Sequence, residues 1–215
     1  MARIKVLGGT GFAGAAVVRE AARRGHRVTS YSRNAPDEPT DGVEYVTGSL
    51  LEPGSLAPTV QDADVVFEAL SPRGELAGRL EGVVDELIRL ADEAGVRLGV
   101  LGGASSTLVS EGGPRLFDVA PTPPPEVLAE IQTGLNLLEA LQAAPESLDW
   151  FYVSPAEVFG VWNPEQVTGT YRISDDVLLR DENGVSYISA RDLARAVLDE
   201  IEQPRYRRRR FHVAH

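Results

Sequence analysis

A chain of 215 residues with 43% hydrophobic content can bury a full core, and an α/β chain of this length is ordinarily one unit, so a single domain over 1–215 is expected. The formal charge of −11, from 32 acidic and 21 basic residues, disfavours a broad contact with DNA or RNA, and the absence of cysteine removes disulfides, thiolate nucleophiles and most zinc sites, leaving no metal site in prospect. No run approaches the roughly 20 apolar residues of a membrane span, and the amino terminus enters a strand with no basic and apolar leader, so a cytoplasmic protein that binds neither membrane nor nucleic acid is the expectation.

The first strand, Ile4 to Leu7, feeds a glycine turn, Gly8-Gly9-Thr10-Gly11-Phe12-Ala13-Gly14, which opens an amphipathic helical segment. Glycines 9, 11 and 14 satisfy G-x-G-x-x-G, and glycines 8, 11 and 14 satisfy G-x-x-G-x-x-G. A turn of this type between a strand and a helix suits a dinucleotide: glycines permit the bend, let the main chain approach a pyrophosphate and let helix pack on strand. The phosphates sit where the helix start offers free N–H groups and a positive dipole end. No G-x-x-x-x-G-K-[ST] pattern is present, so a Walker-type site is not supported.

Gly25-His26 ends the first helix, and Arg27 to Ser32 reads as the second strand. An acid about 20 residues past the glycines ordinarily accepts the adenosine ribose hydroxyls of NAD. Here the strand ends Tyr31-Ser32-Arg33-Asn34, with no acid until Asp37. The planar fork of Arg33 suits a 2′-phosphate instead, which favours NADP(H) over NAD(H). The alternative is an ordinary solvated loop arginine.

Val43 to Thr47 is the third strand, with Ser49 and Leu50 placed to flank an adenine, and Gly54 to Val60 reads as a helix. Ala63 to Leu70 reads as a strand buried on both faces, as a parallel sheet requires. Its end, Ala69-Leu70-Ser71, is expected to line the cofactor, because ligands of such sheets bind beyond the carboxyl ends of strands where strand order reverses. Gly74 to Ala94 has helical apolar spacing, and Val96 to Leu101 is the fifth strand. Beyond it, Gly103 is assigned to the cofactor, and Ser105 and Ser106 to orienting substrate or nicotinamide through a hydroxyl. The proline- and glycine-rich stretch 109–125 reads as a substrate lid, with Leu116 and Phe117 as apolar contacts. Glu126 to about Ala143 is a helix and Leu148 to Ser154 a strand, with Ser154, Pro155 and Ala156 assigned to the cofactor. A substrate-side extension, 157–188, follows, with short strands at 169–173, 177–179 and 185–188. Ser189 and Asp192 form a capping pair for a helix running to Ile201. Arg207 to Arg210, ahead of a terminal strand 211–214, reads as an acid-pairing or solvated surface.

The glycine turn, Ala-Arg-Arg-Gly-His-Arg-Val-Thr at 22–29, the Gly48-Ser-Leu-Leu-Glu-Pro-Gly-Ser-Leu run, Ala63-Asp-Val-Val and Leu148-Asp-Trp-Phe-Tyr-Val-Ser-Pro-Ala-Glu-Val-Phe-Gly resemble the NAD(P)H-binding family of atypical short-chain dehydrogenases, and its NADH-flavin reductase branch above all. Gly169-Thr-Tyr-Arg, Asp181-Glu-Asn-Gly and Tyr187-Ile-Ser-Ala-Arg-Asp carry the likeness into the carboxyl half. The resemblance implies an α/β Rossmann-type fold, a doubly wound and mostly parallel sheet with helices on both faces, with a nicotinamide cofactor. For some members it implies reduction of flavins, quinones or related acceptors, and for others NADP binding without known turnover. Two departures stand out: Ser49 replaces the Asp of a Gly-Asp-Leu run, and 119–130 lacks the Phe-Pro and Tyr-Lys character of the reductase branch.

The Tyr-x-x-x-Lys pair of classical short-chain dehydrogenases, in which lysine lowers the tyrosine pKa, cannot be built here, because Lys5 is the only lysine. Hydride transfer to an electron-poor ring needs no such acid. Two classes stay open: an NADPH-dependent oxidoreductase acting on a flavin, quinone or similar acceptor, with flavin as substrate rather than prosthetic group, and a non-catalytic NADP(H)-binding redox sensor. A small-molecule electron acceptor as partner and a monomer or small homo-oligomer complete the expectation.

Overall fold

Runs such as Val-Val-Phe-Glu and Trp-Phe-Tyr-Val-Ser lack the apolar-polar alternation of a strand with one wet face, and a sheet covered on both sides is the structure that accommodates them. The computed structural model has that sheet. It describes residues 1–163 and 166–215, so Pro164 and Glu165 of the predicted extension lie outside the described residues. The strands are β1 (Arg3–Leu7), β2 (Arg27–Ser32), β3 (Val43–Thr47), β4 (Val65–Glu68), β5 (Arg97–Leu101), β6 (Trp150–Ser154), β7 (Arg172–Ser174) and β8 (Arg209–Ala214). They lie in the order β3-β2-β1-β4-β5-β6-β8-β7, all parallel except β7, which runs antiparallel to β8 at one edge. Strand order reverses between β1 and β4, which is the doubly wound Rossmann-type arrangement.

Helices α1 (Phe12–Arg23) and α6 (Ala190–Glu202) cover one face, burying Val17, Phe67, Phe151, Leu193 and Phe211. Helices α2 (Ala57–Val60), α3 (Leu80–Ala94) and α5 (Pro125–Gln142) cover the other, burying Val66, Leu87, Leu98, Leu141 and Trp150. Neighbouring residues divide between the two cores, Val66 to one and Phe67 to the other, as the two-residue strand period demands. Full burial of each such side chain contributes about 1.5–3 kcal/mol.

Several predicted elements are corrected. The helix expected over 74–94 is a 3-10 turn, Gly74–Leu76, separated from α3 by Gly78, whose positive φ of 66° lies outside helical space. The helix expected over 54–60 shrinks to α2, with proline near its start. The stretch 109–125 contains a short helix, α4 (Leu116–Val119), and is tied down by bridges from Leu108 to Arg115 and Val177. Of the three short strands of the carboxyl half, only β7 forms. Val177 and Tyr187 make isolated bridges, and at 181–185 the Asp181 carboxylate accepts from the N–H groups of Asn183 and Val185 in place of a ladder.

The capping pair is present: Asp192 N–H donates to Ser189 Oγ at 3.0 Å, and the Asp192 carboxylate also holds Thr168 N–H and Gly169 N–H, docking the extension onto α6. Burial acts to raise the pKa of Asp192, but these bonds together hold it below the ordinary carboxylate value. Three of the four carboxyl-terminal arginines pair with acids, Arg207 with Asp149, Arg209 with Asp175 and Arg210 with Asp176. Arg208 instead donates to the carbonyls of Ala144, Pro145 and Leu148 just beyond α5, supplying a cation where carbonyl dipoles accumulate.

Candidate functional site

At the point where strand order reverses, the turn between β1 and α1 meets the end of β4. Gly8 has a positive φ of 80°, and a Cβ there would lie 2.6 Å from the Ala69 carbonyl oxygen. A Cβ on Gly14 would lie 2.2 Å from the Gly8 carbonyl oxygen, so the start of α1 packs directly on the turn. These are the bend and the close helix packing of the glycine pattern that starts at Gly8. Gly11 is the N-cap of α1 and no side chain caps it, leaving the first-turn N–H groups of Phe12, Ala13 and Gly14 without a side-chain acceptor. The cradle fits a pyrophosphate: backbone donors at a helix start, with no Cβ in the way.

Two bonds tie this turn to β2. Gly8 N–H donates to the Tyr31 carbonyl at 2.8 Å and Thr10 N–H to Ser32 Oγ at 3.1 Å. Arg33 follows at once, beside a cavity of about 430 Å³ lined by Arg33, Asn34, Gly48, Ser49 and Glu75. The structure thus brings Arg33 and Ser49 together at the ends of β2 and β3. It adds a residue that sequence did not single out, Glu75, whose carboxylate stands 3.6 Å from the Arg33 guanidinium. Leu50 is half-buried and turns into the core on the α3 side.

The other end of the groove is built differently. Glu68, the last residue of β4, is 0% exposed. Its Oε1 accepts Leu70 N–H at 2.6 Å, while its buried Oε2 has no partner among the described residues. Burial pushes this carboxyl up to about 8, so it is largely protonated at neutral pH. The bond to Leu70 latches the segment Ala69-Leu70, whose Ala69 N–H donates to Leu7, against the glycine turn. Ser71, beyond it, is exposed.

After β5, the Ser106 hydroxyl is buried against the Ser154 hydroxyl at 3.2 Å, and the Ser106 carbonyl accepts from Arg210. The His212 ring donates through Nδ1 to the Ser154 carbonyl at 2.9 Å. Burial brings His212 down to about 4, which keeps it neutral, and the carbonyl fixes the tautomer. The Tyr152 hydroxyl donates to the Gly134 carbonyl at 2.8 Å and accepts Gly103 N–H at 3.3 Å, and burial raises its pKa. Lys5 lies far from these groups in sequence and in partner, donating to the Pro58 carbonyl. Ser105 is only half-buried and is the more accessible of the two predicted serines.

Ser154, Pro155 and Ala156, assigned to the cofactor from sequence, are all buried, and Ala156 belongs to the core beneath α1 and α6. Strand β6, which ends at Ser154, lies between β5 and β8 in the interior of the sheet. Just beyond, Phe159 packs on Phe12 of the glycine turn with ring centroids 5.2 Å apart, and Trp162 folds over Gly160. Glu68 was legible in principle, as a charged residue between Val65-Val66-Phe67 and Ala69-Leu70. Glu75 was not, because only the fold brings it to Arg33. Among the described residues no cluster of potential metal ligands occurs, and no helix is long and apolar enough to cross a membrane.

Comparison with known proteins agrees with this geometry. A family model described as NAD(P)H-binding matches residues 8–204. The uncharacterized protein YwnB of Bacillus subtilis is 32% identical over 213 residues, covering 98% of this chain and 97% of its own. Among solved structures, a candidate exported protein from Burkholderia pseudomallei superposes with a TM-score of 0.85 at 36% identity, covering 100% of both chains. A candidate NADH-flavin reductase from Streptococcus pneumoniae superposes with a TM-score of 0.83 at 26% identity, covering 100% of this chain and 99% of its own. With a glycine cradle at the switch point and a match over nearly its full length, the chain belongs to the NAD(P)H-binding family.

Proposed function

We propose that the protein is an NADPH-dependent reductase of a flavin, a quinone or a similar conjugated small molecule. The observation that carries this reading is the placement of Arg33 beside an open cavity directly after a strand tied to the glycine cradle. A guanidinium fork there matches a 2′-phosphate. A nicotinamide held in the groove would supply a hydride for an acceptor ring, the accompanying proton coming from solvent. The chain's own residues bind and orient: Phe12, Ala13 and Gly14 offer N–H groups to the pyrophosphate, Arg33 holds the phosphate, and Ser105 presents its hydroxyl near the acceptor. The stretch 109–125, held by the bridge from Leu108 to Arg115, is the proposed lid that would exclude water from the acceptor side. Likeness to the candidate NADH-flavin reductase of Streptococcus pneumoniae supports the acceptor class.

The test is stopped-flow and steady-state oxidation of NADPH and NADH with FMN, riboflavin and small quinones. Turnover with NADPH in preference to NADH is expected. Tight NADP⁺ binding without turnover of any acceptor would favour the second reading, an NADP(H)-responsive sensor. That reading draws on the polar groups Ser106, after β5, and Tyr152 and Ser154, in β6, being engaged with one another and with backbone. Neither reading involves nucleic acid, and a cytoplasmic monomer or small homo-oligomer is the form proposed, to be checked by cell fractionation and light scattering.

A further inference from the structure

The cavity at the ends of β2 and β3 holds two opposite charges that face the same space. Arg33 enters from the end of β2. Glu75 enters from the 3-10 turn after β4, and their charged groups are 3.6 Å apart with both side chains 62% exposed. At that distance and exposure the pair is a weak, solvent-screened contact, so either partner is free to exchange it for a ligand. The turn that carries Glu75 is not a loose tether. On one side Arg73 makes a two-pronged bond to Glu130 of α5, at 2.6 and 2.8 Å, and on the other Leu76 packs against the core on the α3 side. Between these anchors the backbone bonds Leu76 N–H to Arg73 and Ala77 N–H to Gly74 close the turn. Glu75 is therefore presented to the cavity by a fixed piece of backbone.

A carboxylate in this place has a chemistry of its own. The second strand brings no acid to accept ribose hydroxyls, and Glu75 supplies one from a different part of the chain. We infer that Glu75 is a specificity-determining residue of the adenosine end, accepting the 2′- and 3′-hydroxyls of an unphosphorylated ribose and opposing a 2′-phosphate. Arg33 and Glu75 then act as opposed selectors: the arginine gains from the phosphate, and the carboxylate gains from the hydroxyls and is repelled by the phosphate. The site accordingly admits both nicotinamide dinucleotides, with a preference for the phosphorylated one narrower than Arg33 alone would set. This inference rests on the proposed role of the cavity as the adenosine site.

The experiment is calorimetric titration of the wild-type protein and Glu75→Gln with NADP⁺ and with NAD⁺, at low and at high salt. Glutamine keeps the shape and removes the charge, and the side chain is exposed, so folding is not at stake. The expected result is that NADP⁺ binds Glu75→Gln about three- to fivefold more tightly and NAD⁺ about twofold or more weakly, with the NADP⁺ gain shrinking at high salt because exposed charges are screened. Glu75→Asp, which keeps the carboxylate, is expected to retain most of the wild-type ratio of affinities. A ratio unchanged in Glu75→Gln while wild-type NADP⁺ binding is intact overturns the inference and leaves the proposed function standing. Failure of the wild-type protein to bind either dinucleotide overturns both.

Discussion

The two ends of the groove solve opposite problems. Around Arg33, Ser49 and Glu75 the surface is open and charged, and its groups keep their charge because water is present. Around Glu68, Tyr152, Ser154 and His212 the polar groups are buried, and burial holds both the acid and the imidazole in their neutral forms. One end can select a ligand by charge. The other can hold a shape without charge, which is the condition for keeping a floor rigid beneath a ligand whose own charge changes during a reaction.

The part common to both ends is the glycine cradle, so the largest effect is expected there. Gly14→Val would force side-chain atoms into the Gly8 carbonyl, and overpacking of this kind costs about 1–3 kcal/mol or more. Loss of measurable NADP⁺ binding and a lower melting temperature are expected, and a variant that binds like wild type would show that the cradle is not the phosphate site. Next comes Arg33→Asp, which removes the selecting charge. A ~10- to 100-fold weaker NADP⁺ affinity with NAD⁺ affinity kept or improved is expected by calorimetry, equivalent to about 1.4–2.8 kcal/mol. An unchanged preference would put Arg33 among ordinary solvated arginines.

The neutral end is sharpened by pH. Glu68 has a folded pKa of about 8, above the ordinary 4.5, so its contribution is complete below about 4.5 and is lost as pH rises through about 8. His212 has the opposite sign: with a folded pKa of about 4 against 6.5, its contribution is complete above 6.5 and is lost as pH falls through about 4. Below about pH 6.5 the two slopes oppose each other, so denaturant unfolding from pH 6.5 to 8 is where stability should fall by up to about 1.4 kcal/mol per pH unit from Glu68, and Glu68→Gln should flatten that slope. A slope retained in Glu68→Gln would mean that another group carries it. The smallest expected change is Ser106→Ala, which removes one buried hydroxyl contact and should cost about 1 kcal/mol of stability with little change in cofactor affinity.

Much of the fold was readable because its punctuation is local. The glycine turn, the Ser189–Asp192 cap and the unalternating apolar strands each state their structure within a few residues. What escaped depended on distant packing. Apolar spacing carried the predicted helix through Gly78, where a positive φ breaks it. At the site, Arg33 could be named from its position after a strand, whereas Glu75 reaches the same cavity only because β4 lies next to β1.

The two tryptophans occupy contrasting surroundings: Trp150 in β6 is 2% exposed, and Trp162, folded over Gly160 close to the Phe12–Phe159 contact, is 64% exposed. The molecule therefore carries a matched pair of optical reporters. A soluble quencher such as iodide reaches the second and not the first, so changes around the glycine turn can be followed by light, separately from unfolding and without an attached dye.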